Sequence, residues 1–331
     1  MAISLIGLLL FALFVVSLRS GGRRTAHEGL GTAVRRFFQF AVQFALVVIV
    51  AIGLSSLLGR VLQRDVLVAS DRDVLAQGLA FTLVGIPLLW LIGRWTMRRI
   101  AADPNEAASM PWAWYLALGE LVPLTVFALA AQDVLTWAVR AGAYDGNAIA
   151  RTIVWGVTWL AHWNITRRTT PQGALNDHQL AGAAFGLWTA AFGLASFIAS
   201  VAHASFLSST DTLITGGDPI ARSGVAFVVG GAIWFLYWVR MAHSAARTLH
   251  WHVYVMLVGV AAGLAAAIVS LSVVLYDVLV WAFGTPTEAS TSLHFASSMT
   301  ASGSFVAGVL VWWYHRAVLR EVEVTKRDEA Q

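Results

Sequence analysis

Five ionisable side chains stand in or beside long apolar runs: Glu120, Asp133, His162, Asp277 and His315. Glu120 follows Trp112, the expected start of its helix, by eight residues. At 1.5 Å per residue that is about 12 Å along the axis, inside the hydrocarbon of a membrane. An acid there costs about 3 kcal/mol, so it is a candidate for holding and passing a proton, with Pro123 loosening the backbone ladder nearby. The alternative is structural, with Glu120 hydrogen-bonded to a neighbouring helix or paired with an arginine. His162 and His315 each precede an arginine by five residues, Arg167 and Arg320. Two neutral imidazoles on facing helices can clamp a haem iron, which would make haem b the cofactor. The alternative is two ordinary interfacial histidines.

Asp133 and Asp277 lie in QDVLTWA (132–138) and YDVLVWA (276–282), and 277 − 133 puts them 144 residues apart. Each precedes a tryptophan by four residues, so carboxylate and indole share a helix face. They either form an outer mouth that concentrates cations or anchor two helix ends. Eight of the 15 tryptophans sit near the opposite ends of the expected spans. There Trp159, Trp163, Trp234, Trp238 and Trp312 either form an aromatic belt or join Arg94, Arg240 and Arg316 around an inner vestibule for an anion.

These residues need membrane helices to position them. The chain has 331 residues, 58% hydrophobic and only 12% charged, with a mean hydropathy of +0.70. Soluble domains carry about 25% charged residues. Apolar runs near the 20 residues a crossing helix requires predict an all-α polytopic membrane protein. Nine spans are expected, at about 3–18, 37–59, 78–94, 112–139, 149–166, 180–206, 223–242, 252–283 and 299–318. Of the 22 lysines and arginines, 16 fall on one side of this arrangement. Basic loops face the cytoplasm, which predicts a bacterial inner membrane protein with its N-terminus outside and its C-terminus inside.

The last eight spans read as four hairpins whose second helices end alike: PLLWLIGRW, VTWLAHW, AIWFLYW and VLVWWYHR. Aligning Trp159 on Trp312 also aligns His162 with His315 and Arg167 with Arg320. The expected organisation is an anchor helix and basic connector (1–35), a first four-helix repeat (36–170), a second (171–320) and a cytoplasmic tail (321–331). An even number of crossings gives the repeats parallel orientations. This tandem of four-span units with tryptophan-rich ends resembles a bacterial family of membrane domains of unknown function, over roughly residues 36–320. The resemblance implies the helical fold and brings no activity or catalytic residue.

Small residues, among them Gly182, Gly186, Gly193, Gly259, Gly263 and Ala267, predict close helix packing. The basic pI of about 9.8 is a matter of topology, not of nucleic-acid binding. The absence of cysteine excludes disulfides and thiolate metal sites. The sole lysine, Lys326, lies in the tail, so no membrane Schiff base and no retinal are expected. GGD (216–218) reads as a turn, ASGS (301–304) has no suitably placed base, and neither a Walker loop nor H-E-x-x-H occurs. The leading expectation is a transporter or channel for a small ion or solute through the crevice between repeats, with Glu120 as its polar switch. The alternatives are a haem- or quinone-associated redox subunit and a structural subunit. The expected partners are the lipid bilayer and a homo-oligomer or membrane complex.

Overall fold

The structure is a computed structural model that describes residues 30–63, 71–169, 177–206, 218–243, 245–286 and 290–328. Its regular elements are helices, with no strand among the described residues. In order they are α1 (Leu30–Leu62), α2 (Asp71–Ala102), the single turn α3 (Pro104–Ala107), α4 (Met110–Ala138) and α5 (Gly146–Thr169). Then come α6 (Asp177–Phe206), α7 (Pro219–Trp234), α8 (Leu249–Val253), α9 (Ala262–Phe283), α10 (Thr291–His294) and α11 (Ala296–Asp328). Two π-helical stretches, Phe235–Ala242 and Tyr254–Ala261, extend α7 and join α8 to α9.

Among the described residues, six helices are long and apolar enough to cross a membrane: Gly31–Leu62, Arg72–Ala102, Met110–Ala138, His178–Phe206, Pro219–Ala242 and Leu249–Phe283. The protein is an all-helical membrane protein. α5 and α11 are equally long but more polar, carrying Asn164, Arg167 and Arg168 in one and a serine-rich start and charged end in the other. The expected first span, 3–18, lies outside the described residues. α1 begins at Leu30, inside the expected connector, and α11 continues through much of the expected tail.

The chain divides into two compact units, Met1–Ala130 with Asp145–Pro171 and Ala131–Tyr144 with Gln172–Gln331. In unit 1, α1 packs on α2 and α5, and Phe40, Phe44, Trp112, Tyr115 and Leu116 form a buried cluster. The turn between α2 and α4 is set by Asp103, whose side chain caps α3 by accepting from the Asn105 amide, with Pro104 in the first helical position. In unit 2, α6 packs along α7 and α11, and α9 along α11. Gly186 and Gly193 meet the α7 backbone at Trp234 and Phe227 so closely that a side-chain carbon has no room. Such contacts let backbones approach where lipid supplies no hydrophobic drive.

Candidate functional site

In unit 1, Arg35, Gln39 and Gln43 recur every fourth residue on α1 and so form one stripe along it. The stripe meets Thr96 of α2 and Tyr115 of α4, and Tyr115 leads on to His162 of α5. Arg35 Nη1 donates to Gln39 Oε1 (2.8 Å), and Gln39 Nε2 donates to Thr96 Oγ1 (2.9 Å). Thr96 Oγ1 donates to Gln43 Oε1 (2.8 Å), and Gln43 Nε2 donates to the Tyr115 hydroxyl (3.0 Å). The chain ends at His162, whose Nε2 is 3.1 Å from that hydroxyl and whose Nδ1 is 2.9 Å from the Thr158 carbonyl oxygen. A carbonyl only accepts, so the hydrogen-bond pattern assigns the proton of the neutral ring to Nδ1. Nε2 is then a bare lone pair that accepts from Tyr115. Every donor in the chain points the same way, toward His162.

Packing holds this geometry. Trp112 stacks on Tyr115 at 5.2 Å between centroids, and Phe40 lies 5.9 Å from the same ring. Gly119 backs onto His162, where any Cβ would run into Cδ2 and come within 2.8 Å of Nε2. The next residue, Glu120, is only 1% exposed, and its Oε2 accepts from the Thr166 hydroxyl at 3.1 Å. At its Arg35 end the chain meets a buried ion cluster. Glu106 takes Arg35 Nη2 at 2.5 Å and Arg36 Nε at 3.1 Å, with Arg99 Nη2 at 3.5 Å. Burial alone would push the Glu106 carboxyl up, but the Arg35 hydrogen bond and the charges of Arg36 and Arg35 hold it below the ordinary carboxylate value.

Unit 2 builds a similar setting from other material. His315 is fully buried, with Nδ1 2.8 Å from the Val311 carbonyl oxygen and Nε2 without a hydrogen-bond partner. Its ring lies 5.1 Å from Tyr314, 5.7 Å from Tyr254 and 5.8 Å from Trp238. Gly259 lies against it as Gly119 lies against His162, and a Cβ there would collide with the ring and Cβ of His315. Trp238 takes the space that polar groups fill in unit 1, lying 4.6 Å from Tyr254 and 5.9 Å from Trp251. Its indole nitrogen donates to the Tyr314 hydroxyl (2.9 Å), while Trp234 donates to the Tyr254 hydroxyl (3.3 Å).

The spacing Trp112, Tyr115, Gly119 returns as Trp251, Tyr254, Gly259, three residues and then five instead of four. The additional residue falls within the π-helical Tyr254–Ala261, whose wider turns take in more residues.

Residues 36–161 match the family described as Domain of unknown function (DUF5671). The DUF5671 match takes in Gln39, Gln43, Thr96 and Tyr115, beginning one residue after Arg35 and stopping one residue before His162. Comparisons with curated proteins and with solved structures gave no significant match.

The remaining candidates separate. Asp133 is exposed near the end of α4. Asp277 is buried, and its Oδ2 accepts from Ser297 Oγ (2.5 Å) and Ser298 Oγ (2.8 Å), while His294 Nε2 donates to its main-chain oxygen (2.9 Å). This ties the end of α9 to α10 and α11. Among the vestibule residues, Trp159 is buried and stacked on Phe127 at 5.6 Å, with Trp163 edge-on to it at 5.7 Å. Trp238 is fully buried and Trp234 packs edge-on to Tyr314 at 5.2 Å. Arg94, Arg240 and Arg316 are exposed, and Arg94 and Arg316 lie over Trp90 and Trp312 of their own helices.

The histidines do not fit axial haem ligation as they stand. His162 Nε2 is held by Tyr115 with Gly119 against the ring edge, and His315 is walled in by aromatic rings on a fully buried site. No group of three or more metal-ligating side chains occurs among the described residues.

Gln39, Gln43, Thr96, Tyr115 and Glu106 escape a reading that seeks charge inside apolar runs. Their signal is the four-residue spacing of Arg35, Gln39 and Gln43, a polar stripe on an otherwise apolar helix.

Proposed function

We propose that the protein is a membrane transporter or channel for a small ion, the proton, and that His162, Tyr115 and Glu120 of unit 1 handle it. The observation that carries this reading is the one-way donor chain ending on the bare Nε2 of His162. Buried ionisable groups in a membrane helix are costly, and three lie within two neighbouring helices here. A proton bound at Nε2 turns His162 into a donor at both nitrogens. Tyr115 can then no longer donate to it, and its hydroxyl must turn its hydrogen away. The Gln43 amide then turns over, its oxygen taking the Tyr115 hydrogen and its nitrogen donating to Thr96; the reversal stops at Thr96, because Arg35 only donates and keeps Gln39 Oε1 facing it. The amides do not carry the proton themselves; they give the chain two polarities, which distinguish a loaded from an unloaded site. Glu120 supplies the carboxyl group nearest in sequence to the Gly119 contact.

We place the protein in a bacterial inner membrane with its C-terminus cytoplasmic, a reading supported by the bias of 16 among 22 basic residues. The test is proton flux into liposomes carrying the purified protein and an internal pH-sensitive dye. His162→Gln and Glu120→Gln are each expected to reduce flux at least tenfold, the equivalent of about 1.4 kcal/mol. Unchanged flux and pH dependence in both variants would discard the proposal.

A further inference from the structure

Unit 1 carries a charged rim that the proton site does not use. The end of α2 reads WLIGRWTMRR (90–99), which places Arg94 four residues after Trp90 and Arg99 four after Trp95. Both pairs are realised, with Arg94 5.3 Å from the Trp90 ring centroid and Arg99 5.2 Å from that of Trp95. The indoles are 62% and 43% exposed. Arg94 and Arg98 are exposed and make no ion pair among the described residues. Arg99 reaches Glu106 only at 3.5 Å, behind the closer Arg35 and Arg36, and its Nε has no acceptor. Five arginines, 35, 36, 94, 98 and 99, stand against Asp103 and Glu106, an excess of three positive charges.

A surplus of guanidinium beside exposed indoles at the end of a membrane helix calls for a ligand with an anionic head and an apolar body. Guanidinium matches a phosphate oxygen pair in bidentate fashion, and tryptophan sits where head group meets acyl chain. A free phosphate satisfies the arginines but leaves Trp90 and Trp95 without a role. We propose that the rim formed by Trp90, Arg94, Trp95, Arg98 and Arg99 binds the phosphate head group of an anionic phospholipid. The lipid lies along α2, whose apolar stretch is only 11% buried and so faces the acyl chains.

The full chain in nanodiscs of phosphatidylcholine with or without phosphatidylglycerol tests this, with retained lipid identified by native mass spectrometry. Wild type is expected to retain phosphatidylglycerol in preference to phosphatidylcholine, the more so at low salt. Each arginine near the surface is worth about fivefold, so Arg94→Gln with Arg98→Gln is expected to cut the preference about 25-fold. Because neither residue is ion-paired, thermal unfolding in pure phosphatidylcholine should be unchanged, which separates lost binding from lost folding. Inorganic phosphate at equal concentration should fail to displace the lipid. A wild type without preference, a double variant that keeps it, or displacement by inorganic phosphate would each overturn the proposal.

Discussion

The two units set a histidine against a glycine on a neighbouring helix and a tyrosine one turn away, yet they surround it with opposite chemistry. In unit 1 the ring terminates a chain of side-chain hydrogen bonds from α1 and α2. In unit 2 it ends in a box of aromatic rings with Nε2 unpartnered. The scaffold therefore does not define the chemistry; the facing helices do. Glutamine and threonine give a site with two hydrogen-bond polarities, whereas Trp238 gives a filled and rigid one. Unit 2 thus serves as a structural control on unit 1 within the same molecule.

Removing the filler should separate them most. Trp238→Ala empties the box, and truncating a buried aromatic costs about 3–5 kcal/mol. Gln43→Ala leaves the Thr96 and Tyr115 hydroxyls without one partner each, which costs about 1–3 kcal/mol. Thermal unfolding in detergent should rank Trp238→Ala well below Gln43→Ala, whereas proton flux should rank them the other way round. The same ranking in both assays would show that the chain of unit 1 is only packing.

The glycines offer a finer cut. Gly259→Ala drives a methyl group into Cγ and Cβ of His315, atoms fixed close to their own backbone. Gly119→Ala meets the far edge of His162, which can swing aside. Overpacking costs about 1–3 kcal/mol, and Gly259→Ala is expected at the upper end and Gly119→Ala at the lower. The swing takes Nε2 away from Tyr115, so Gly119→Ala should lower flux despite its smaller effect on stability. Equal stability losses would mean that the two rings are equally confined.

Tyrosine to phenylalanine narrows the comparison to one atom. Tyr115→Phe leaves Gln43 Nε2 without its acceptor and His162 Nε2 without its donor, at a cost of about 1–3 kcal/mol. Tyr254→Phe removes only the acceptor of Trp234, at about 1 kcal/mol. Flux should fall in the first and persist in the second; loss in both would move the proton site out of unit 1 alone.

Much of the helical frame is legible in the sequence because lipid forces long apolar runs into helices. The start of α1 at Leu30 is not, since its first turns carry Arg35 and Arg36, which are held by Glu106 and not by apolar burial. The repeated QDVLTWA and YDVLVWA pair Glu120 with Leu264 at an offset of 144. The ring contacts pair Gly119 with Gly259 instead, an offset of 140 that brings Glu120 opposite Val260. Asp133 follows Gly119 by 14 residues and Asp277 follows Gly259 by 18, about one more helical turn. Matching the helix ends cannot reveal that turn or the π-helical residue before it. Glu120 stands out as a charge among apolar neighbours, but Gln39 and Gln43 stand out only by their spacing.

The smallest effect concerns the ion cluster at the head of the unit 1 chain, which the residues around His315 do not reproduce. Arg35 both holds Glu106 and donates to Gln39, so the charge state of Glu106 bears on the first link of the chain. A carboxyl held below its ordinary value of 4.5 in the folded state contributes stability that is fully present above that value. The contribution is lost as pH falls through the lowered folded value. Thermal unfolding of wild type and Glu106→Gln should therefore differ most near neutral pH and converge in acid below the ordinary carboxylate range. The convergence should be accompanied by weaker flux in wild type, because a neutral Glu106 no longer fixes Arg35 for Gln39. A stability difference that stays constant down to pH 3 would show that the arginines do not favour the charged carboxylate, and would detach the ion cluster from the chain whose first link it contacts.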